Sequence, residues 1–392
     1  MRFFKTVLAV LSAASLISCQ AEAPPPAETP PPIEPVSTYI QEKQQLHIDG
    51  DIPESDYQPL NYAHQVGLWF PYMHYGEYMY EKSESEFRSS VSAMYGDAKA
   101  EGVNTIYVHI HPCGDAYYKS EIFPSGDYLD GDYDPLQIMI EEAHKLELSV
   151  HAWINPLRLQ TAEQMEKLPD SYITKKWTEE KNGTYVSLVN GRWYLNPAYD
   201  EVVQLICDCA DEILQNYQAD GFHIDDYFYP TKDESFDAAA FAESGSSELT
   251  QWRLDNCSRM VRSLFERIKR ADQSILFGIS PQGNISANYS SQYADVRLWS
   301  GSAGYCDYIV PQIYFGFKNE TCPFEETLAQ WESIVSCPQV SLVIGLAEYK
   351  QGEADKWAGA AGELEWIEEP DVIERQIALC EASSACGYAL YR

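Results

Sequence analysis

Residues 220–228 read DGFHIDDYF, and the order of residue types in this stretch sets a strand and its two faces. Successive side chains of a β-strand point to opposite sides. Phe222 and Ile224 therefore share one face, and His223, Asp225 and Tyr227 share the other. The apolar pair is expected to pack on helices, which turns Asp225 toward the opposite side, into a cleft or a barrel mouth. Asp226 has the other parity and joins Asp225 only if the strand frays there. Two adjacent carboxylates in a confined site resist ionising together, which suits an acid and a base in partnership; the alternative is a solvated Asp-Asp turn.

Seven further runs of the same kind flank this one: 66–71 (VGLWFP), 103–111 (VNTIYVHIH), 148–154 (LSVHAWI), 275–281 (ILFGISP), 306–315 (CDYIVPQIYF), 340–347 (VSLVIGLA) and 386–391 (CGYALY). Helical periodicity fills the intervals 84–101, 135–147, 200–217, 247–271, 324–335 and 370–382, and more weakly 285–304. Eight strands alternating with helices predict a single (β/α)8 barrel over 61–392 rather than a doubly wound open sheet. The chain stops at Arg392, directly after the eighth run, so residues 37–64 are expected to cover the side where an eighth helix would lie. Long insertions at 156–199 and 229–246 follow the third and fourth strands, on the face where barrel loops carry function. The first contains Asn190-Gly191 between two strand-like runs, a hairpin signal.

The strand ends predict a polar, aromatic-rich site. Strand two ends near His111 and Asp115, strand three supplies Trp153, Asn155 and Arg158, and strand four supplies His223, Asp225, Asp226 and Tyr227. Gln282 follows strand five, Gln312 and Tyr314 lie on strand six, and Glu348 and Lys350 follow strand seven. Pro311 marks where pairing on strand six stops. Trp69, Tyr117, Trp153, Tyr227 and Tyr314 are the rings placed to stack on sugar faces. His109-x-His111 resembles the opening of a metal-dependent amidohydrolase, but strands five, six and eight contain no His, so no metal and no cofactor is assigned. Phosphate-cradling glycine motifs and a G-x-S-x-G elbow are absent from the sequence.

Several of these stretches together resemble the glycosyl-hydrolase-like family 10. They are GDAYYKS at 114–120, Glu142-Ala143-His144, HAWINPLR at 151–158, Leu195-Asn196-Pro197, DGFHIDDYFYP at 220–230, Ser280-Pro281-Gln282-Gly283 and Pro311-Gln312-Ile313-Tyr314. The resemblance runs from about Gln65 to Arg392 and implies a barrel that cleaves glycosidic bonds, with peptidoglycan strands stripped of their peptides as the substrate of similar enzymes. The likeness of GFHID to the nucleophile strand of amylase-type barrels puts Asp225 in the position of the negative group, with Asp226 first and Glu348 second as proton donor. The resemblance departs from pattern twice. His111 stands where family members often have Arg before the Pro of strand two, and strand five lacks the acidic Glu of amylase-type barrels. A substrate-assisted variant, in which an N-acetyl oxygen attacks and the Asp pair orients it and donates the proton, needs no such Glu. His111, Asp115, Trp153, Asn155, Arg158, His223, Tyr227, Gln282, Gln312, Tyr314 and Lys350 are the expected substrate contacts. A non-catalytic glycan-binding barrel is the alternative from another class.

The N-terminus reads as an address. Arg2 and Lys5 precede an apolar stretch, Thr6 to Ile17, too short to span a bilayer, as in a secretory signal. Leu16-Ile17-Ser18-Cys19 is similar to a bacterial lipobox, which implies cleavage after residue 18, lipidation at Cys19 and an extracytoplasmic, membrane-anchored lipoprotein. Seven prolines between residues 20 and 36 then predict an extended stalk, placed at 19–60 and roughly 50 Å long at the polyproline rise. A net charge of −33 excludes a nucleic-acid partner, because phosphate binding needs clustered Lys and Arg. Ten cysteines without any C-x-x-C suggest buried small apolar groups more than a disulfide framework or a zinc site.

Overall fold

The computed structural model describes residues 57–179 and 184–392; the signal peptide, Cys19 and most of the stretch assigned to the stalk lie outside the described residues. The strands are β1 Gln65–Phe70, β2 Thr105–His111, β3 Ser149–Ile154, β4 Arg158–Thr161, β5 Val186–Val189, β6 Arg192–Leu195, β7 Gly221–Ile224, β8 Leu276–Ile279, β9 Tyr308–Ile309, β10 Ser341–Leu342, β11 Ile344–Ala347 and β12 Gly387–Tyr391. Nine of them form one parallel sheet in the order β10-β9-β8-β7-β3-β2-β1-β12-β11. Only Val343 separates the two terminal members, so the sheet wraps into a nearly closed barrel with helices around it. Each of the eight anticipated runs holds one stave, the seventh being split into β10 and β11.

Local chemistry explains the boundaries. Ser83 and Glu86 form a capping box that starts the helix Glu84–Ala100. Asp134 caps the helix Pro135–His144, whose proline at the first turn loses no internal hydrogen bond. The helix Asp200–Asn216 buries Val202, Val203, Ile206, Ala210 and Ile213 at helical spacing. Two residues beyond β9, Pro311 has no N–H to give, yet its carbonyl accepts from Gly345 N at 2.9 Å, so the seam with β11 stays closed after the formal strand ends. The weak 285–304 segment is not one helix: it breaks into Ile285–Ala287, a π-turn at Asn288–Gln292 and Val296–Gly301.

Side chains alternate along β7 as expected. Phe222 and Ile224 pack outward among the helices, and His223 points into the barrel. The interior is filled by rings, among them Trp69, Tyr107, Trp153 and Tyr308. Neighbouring staves make room for them: a Cβ on Gly278 would lie 1.9 Å from the Tyr308 ring, and one on Gly67 would lie 2.6 Å from Tyr107. Substituting either would force apart a packed layer.

The segment before β1 does not replace an eighth helix in its described part. It crosses the N-terminal end of the barrel instead, with Tyr62 Oη donating to the Glu147 carbonyl at 2.6 Å and Asn61 Nδ2 to the Ser274 carbonyl at 2.7 Å. Tyr57 and Leu60, within the stretch assigned to the stalk, both donate to Asp220. In the first insertion, β5 and β6 form an antiparallel hairpin whose turn residues Asn190 and Gly191 have φ of 49° and 80°, as a type I′ turn demands. All nine cysteines among the described residues are free thiols, and seven are buried. No helix of the described residues is long and apolar enough to cross a membrane.

Candidate active site

Pairing of β7 with its neighbour β8 ends where Ser280 N donates to the Ile224 carbonyl at 2.7 Å. Beyond that bond the backbone leaves the pleat, and this brings Asp225 and Asp226 to the same end of the barrel despite their opposite parity. Asp225 is 4% exposed. It accepts from Trp153 Nε1 at 3.1 Å and from Tyr227 N at 3.2 Å. Burial first, and the adjacent Asp226 charge second, hold its carboxyl well above the usual carboxylate range. Asp226 is half-buried. Burial raises it too, and the side-chain amides of Gln312 and Gln292 draw it back. Arg158 lowers both, yet neither aspartate makes an ion pair among the described residues. Two carboxyls so placed favour a shared proton over two charges.

Trp153 is held by the residues beneath it. Its ring lies flat on His109, with centroids 3.6 Å apart and planes 7° apart. Its N–H is shared between Asp225 and Asn155 Oδ1, the latter at 3.2 Å. Asn155 is fully buried and donates to the Pro112 carbonyl at 3.2 Å. It therefore positions Trp153 and does not face the cleft. Burial pushes His109 well below its ordinary value, so the ring is neutral.

His223 also departs from its expected role as a substrate contact. It is fully buried below the aspartates. Trp69 Nε1 donates to its Nε2 at 3.2 Å, and an indole N–H can only donate, so His223 carries its proton on Nδ1. That proton goes to Tyr308 Oη at 3.1 Å, and the Tyr308 hydroxyl in turn donates to His151 Nδ1 at 2.6 Å. His111 is likewise buried, against Phe123 and with its pKa lowered to about 4 by burial. Tyr117 sits in the outer core against Tyr75. These three residues do not reach the cleft.

The cleft itself is walled by aromatic side chains. Tyr314 meets Tyr349 and Tyr391 with ring centroids 6.2 and 6.0 Å apart, and it meets Trp69 at 6.4 Å. Tyr227 is exposed, with the Arg158 guanidinium 4.5 Å above its ring. Asp115 accepts from Cys113 N at 2.8 Å, and burial lifts its carboxyl to about 6. Gln312 Nε2 donates to the Ser280 carbonyl at 3.0 Å, and Gln282 and Gln312 form a parallel bridge beyond β8 and β9. Lys350 is committed elsewhere, its ammonium donating to the Tyr314 carbonyl and to Asp355, both at 2.7 Å. Glu348 is held by Arg392 Nε at 2.7 Å. Four wall residues escaped the sequence reading. Tyr72, Tyr349 and Tyr391 each lie within two residues of the end of a barrel strand, so the rule that found Tyr227 could have found them. Gln292 is brought in by the π-turn, and no periodicity announces that. Among the described residues, no three His, Cys, Asp or Glu side chains are grouped to hold a metal.

This end-of-strand site is carried by a recognisable sequence. Residues 80–360 match the family described as glycosyl hydrolase-like 10. The chain belongs to this family. It is 33% identical over 296 residues to glycosyl hydrolase YngK of Bacillus subtilis (strain 168), which covers 68% of this chain and 57% of that protein. It is 30% identical over 285 residues to glycosyl hydrolase DigH of Escherichia coli (strain K12), with 65% and 64% covered. The chain thus spans 57–64% of the length of these relatives. Among solved structures, the glycoside hydrolase domain of PgaB (BpsB) from Bordetella bronchiseptica superposes with a TM-score of 0.55 at 11% identity, covering 84% of this chain and 94% of that one. That likeness shows the barrel fold alone.

Proposed function

We propose that this family member is a glycoside hydrolase that cleaves an amino-sugar polymer, with peptide-stripped peptidoglycan as its substrate, and that it works outside the cytoplasm on a lipid anchor at Cys19. The Asp225–Asp226 pair at the mouth of the barrel carries this reading. Glycosidic cleavage needs a proton for the leaving oxygen and a negative group near the anomeric carbon. Asp225 is the more deeply buried of the two, so it holds the shared proton and serves as the acid; Asp226 is the anion. This reverses the roles expected from the resemblance to amylase-type barrels.

Among the described residues neither strand flanking β7 ends in a second carboxylate, and Asp115, beyond β2, is turned back onto Cys113 N. Ser280, Pro281 and Gln282 follow β8, and Glu348 is tied to Arg392. The nucleophile then comes from the substrate. Asp226 orients the acetamide N–H, the acetamide oxygen attacks the anomeric carbon, and Asp225 protonates the departing oxygen. Asp225 then takes a proton from the water that opens the cyclic intermediate. The Tyr314, Tyr349 and Tyr391 wall stacks on sugar faces.

Two consequences test the scheme. NMR of the first-formed product should show the retained anomer, and a de-N-acetylated polymer should not be cleaved. Inversion, or equal cleavage of the de-N-acetylated polymer, would remove the substrate-assisted step. The missing β8 carboxylate also favours a second reading, a glycan-binding barrel. It predicts tight binding with no product from any glycan.

A further inference from the structure

We infer that Arg158 is a specificity residue that reads a free carboxylate on the bound sugar. This inference deepens the proposed function and rests on a glycan occupying the same cleft. Among the described residues the Arg158 side chain has no hydrogen-bond or ion-pair partner; its guanidinium lies over the face of Tyr227, 4.5 Å from the ring centroid. Its Nε is buried and unsatisfied. A guanidinium is always charged and presents donors in a planar fork that matches a carboxylate. Leaving such a group unpaired at a half-buried position is unfavourable in the free protein unless a ligand completes it.

The surroundings narrow the ligand. Arg158 opens β4, directly after the β3 loop, with Tyr72, Tyr194 and Cys113 around it. It is close enough to lower the carboxyls of Asp115, Asp225 and Asp226, yet it pairs with none of them. The other cations near the mouth are committed: Arg192 donates to the Leu159 carbonyl at 2.6 Å, and Lys350 pairs with Asp355. On a chain of net charge −33, an anionic polymer is repelled in general, so an anionic group needs a local receptor. Arg158 is that receptor, near enough to the reacting pair to lower both carboxyls. A peptide stem converts the sugar's carboxylate into a neutral amide. Reading the free carboxylate therefore explains selectivity for a peptide-stripped glycan.

The test compares a peptide-stripped glycan with the same glycan after its carboxyls are reduced to alcohols. Two readouts are used: kcat/KM of the wild type, and the affinity of Asp225→Asn, whose turnover is about a thousandfold slower. Wild-type kcat/KM and the affinity should both fall by about 30-fold on the reduced glycan, the range for hydrogen bonds to a charged group. Arg158→Gln should bring the ratio between the two glycans close to one. Arg158→Lys, which keeps the charge and loses the fork, should restore part of it. Thermal unfolding checks that each variant is folded. Equal handling of the two glycans by the wild type overturns the inference while leaving the hydrolase reading intact. Discrimination in binding with no cleavage by the wild type overturns the hydrolase reading and keeps the inference.

Discussion

Asp220 and Asp225 stand at opposite ends of the same four-residue strand, β7, and the protein treats them in opposite ways. Asp220, at the N-terminal end, is fully buried and accepts four hydrogen bonds: Tyr57 Oη at 2.6 Å, Leu60 N at 2.5 Å, Val150 N at 2.7 Å and His144 Nε2 at 2.9 Å. Those donors tie the leading segment, β3 and the helix Pro135–His144 to one carboxylate. Asp225, at the C-terminal end, is buried with two neutral donors and a second carboxyl beside it. Where charge is structural, it is fully satisfied; where it is under-satisfied, it remains available for chemistry. The same division separates Arg253, which clamps Asp237 with bonds of 2.9 and 2.6 Å in the interior, from Arg158, whose side chain has no hydrogen-bond or ion-pair partner among the described residues. Barrels of this type place stability at the N-terminal face and function at the C-terminal face, and the two ends of β7 differ in the sense that division predicts.

Exchanging each carboxylate for its amide should pull the two ends apart. Asp225→Asn should lower glycan hydrolysis by about 10³-fold, within the range of general acid–base catalysis, and leave the fold intact. Asp226→Asn should cost about 10²-fold, because it loses orientation of the nucleophile rather than the proton. Asp220→Asn should do the reverse: unfolding in urea should show a loss of about 3 kcal/mol from the broken network, while activity per folded molecule stays near wild type.

The sign of the pH dependence follows from the raised Asp225 carboxyl. A carboxyl raised in the folded state contributes stability that is fully present below its unfolded value of about 3.9 and is lost as pH rises through the folded one. Neutral pH therefore strains the site, and Asp225→Asn relieves that strain. Its thermal midpoint should exceed wild type at pH 7, and the gain should shrink as the pH falls toward about 4. A constant gain across that range would mean that charge at Asp225 is not the cause. The smallest effect is expected from Trp153→Phe, which keeps a ring on His109 but removes the N–H that Asp225 accepts. Activity should fall by about 10-fold, and the alkaline limb of the pH–rate profile should move upward, since the ionised form loses a donor.

Much of the architecture was legible because it is periodic. Alternation along DGFHIDDYF placed Phe222, Ile224, His223 and Asp225 on their faces, and the eight runs matched eight staves. What the period could not convey is depth. His223 and Asp225 share a face, but His223 is packed among the interior rings, stacked on Tyr107 with centroids 4.4 Å apart, whereas Asp225 meets them only through the Trp153 N–H. Lys350 and Glu348 follow a strand end as expected, yet their charges are consumed by Asp355 and Arg392, and no strand pattern reveals a partner from elsewhere in the chain. Gln292 was invisible for a related reason, since a π-turn has no two- or four-residue signature. The DGFHIDDYF run points to Asp225 and Asp226, whereas the contrast in how each carboxylate is compensated emerges only in three dimensions.

The most direct test is mass spectrometry of peptide-stripped peptidoglycan glycan after incubation with the wild type and with Asp225→Asn, each checked for an intact fold. The account predicts short N-acetylated fragments from the wild type and about a thousandfold fewer from the variant. Equal fragment yields from both proteins, or no fragment from the folded wild type, would contradict it.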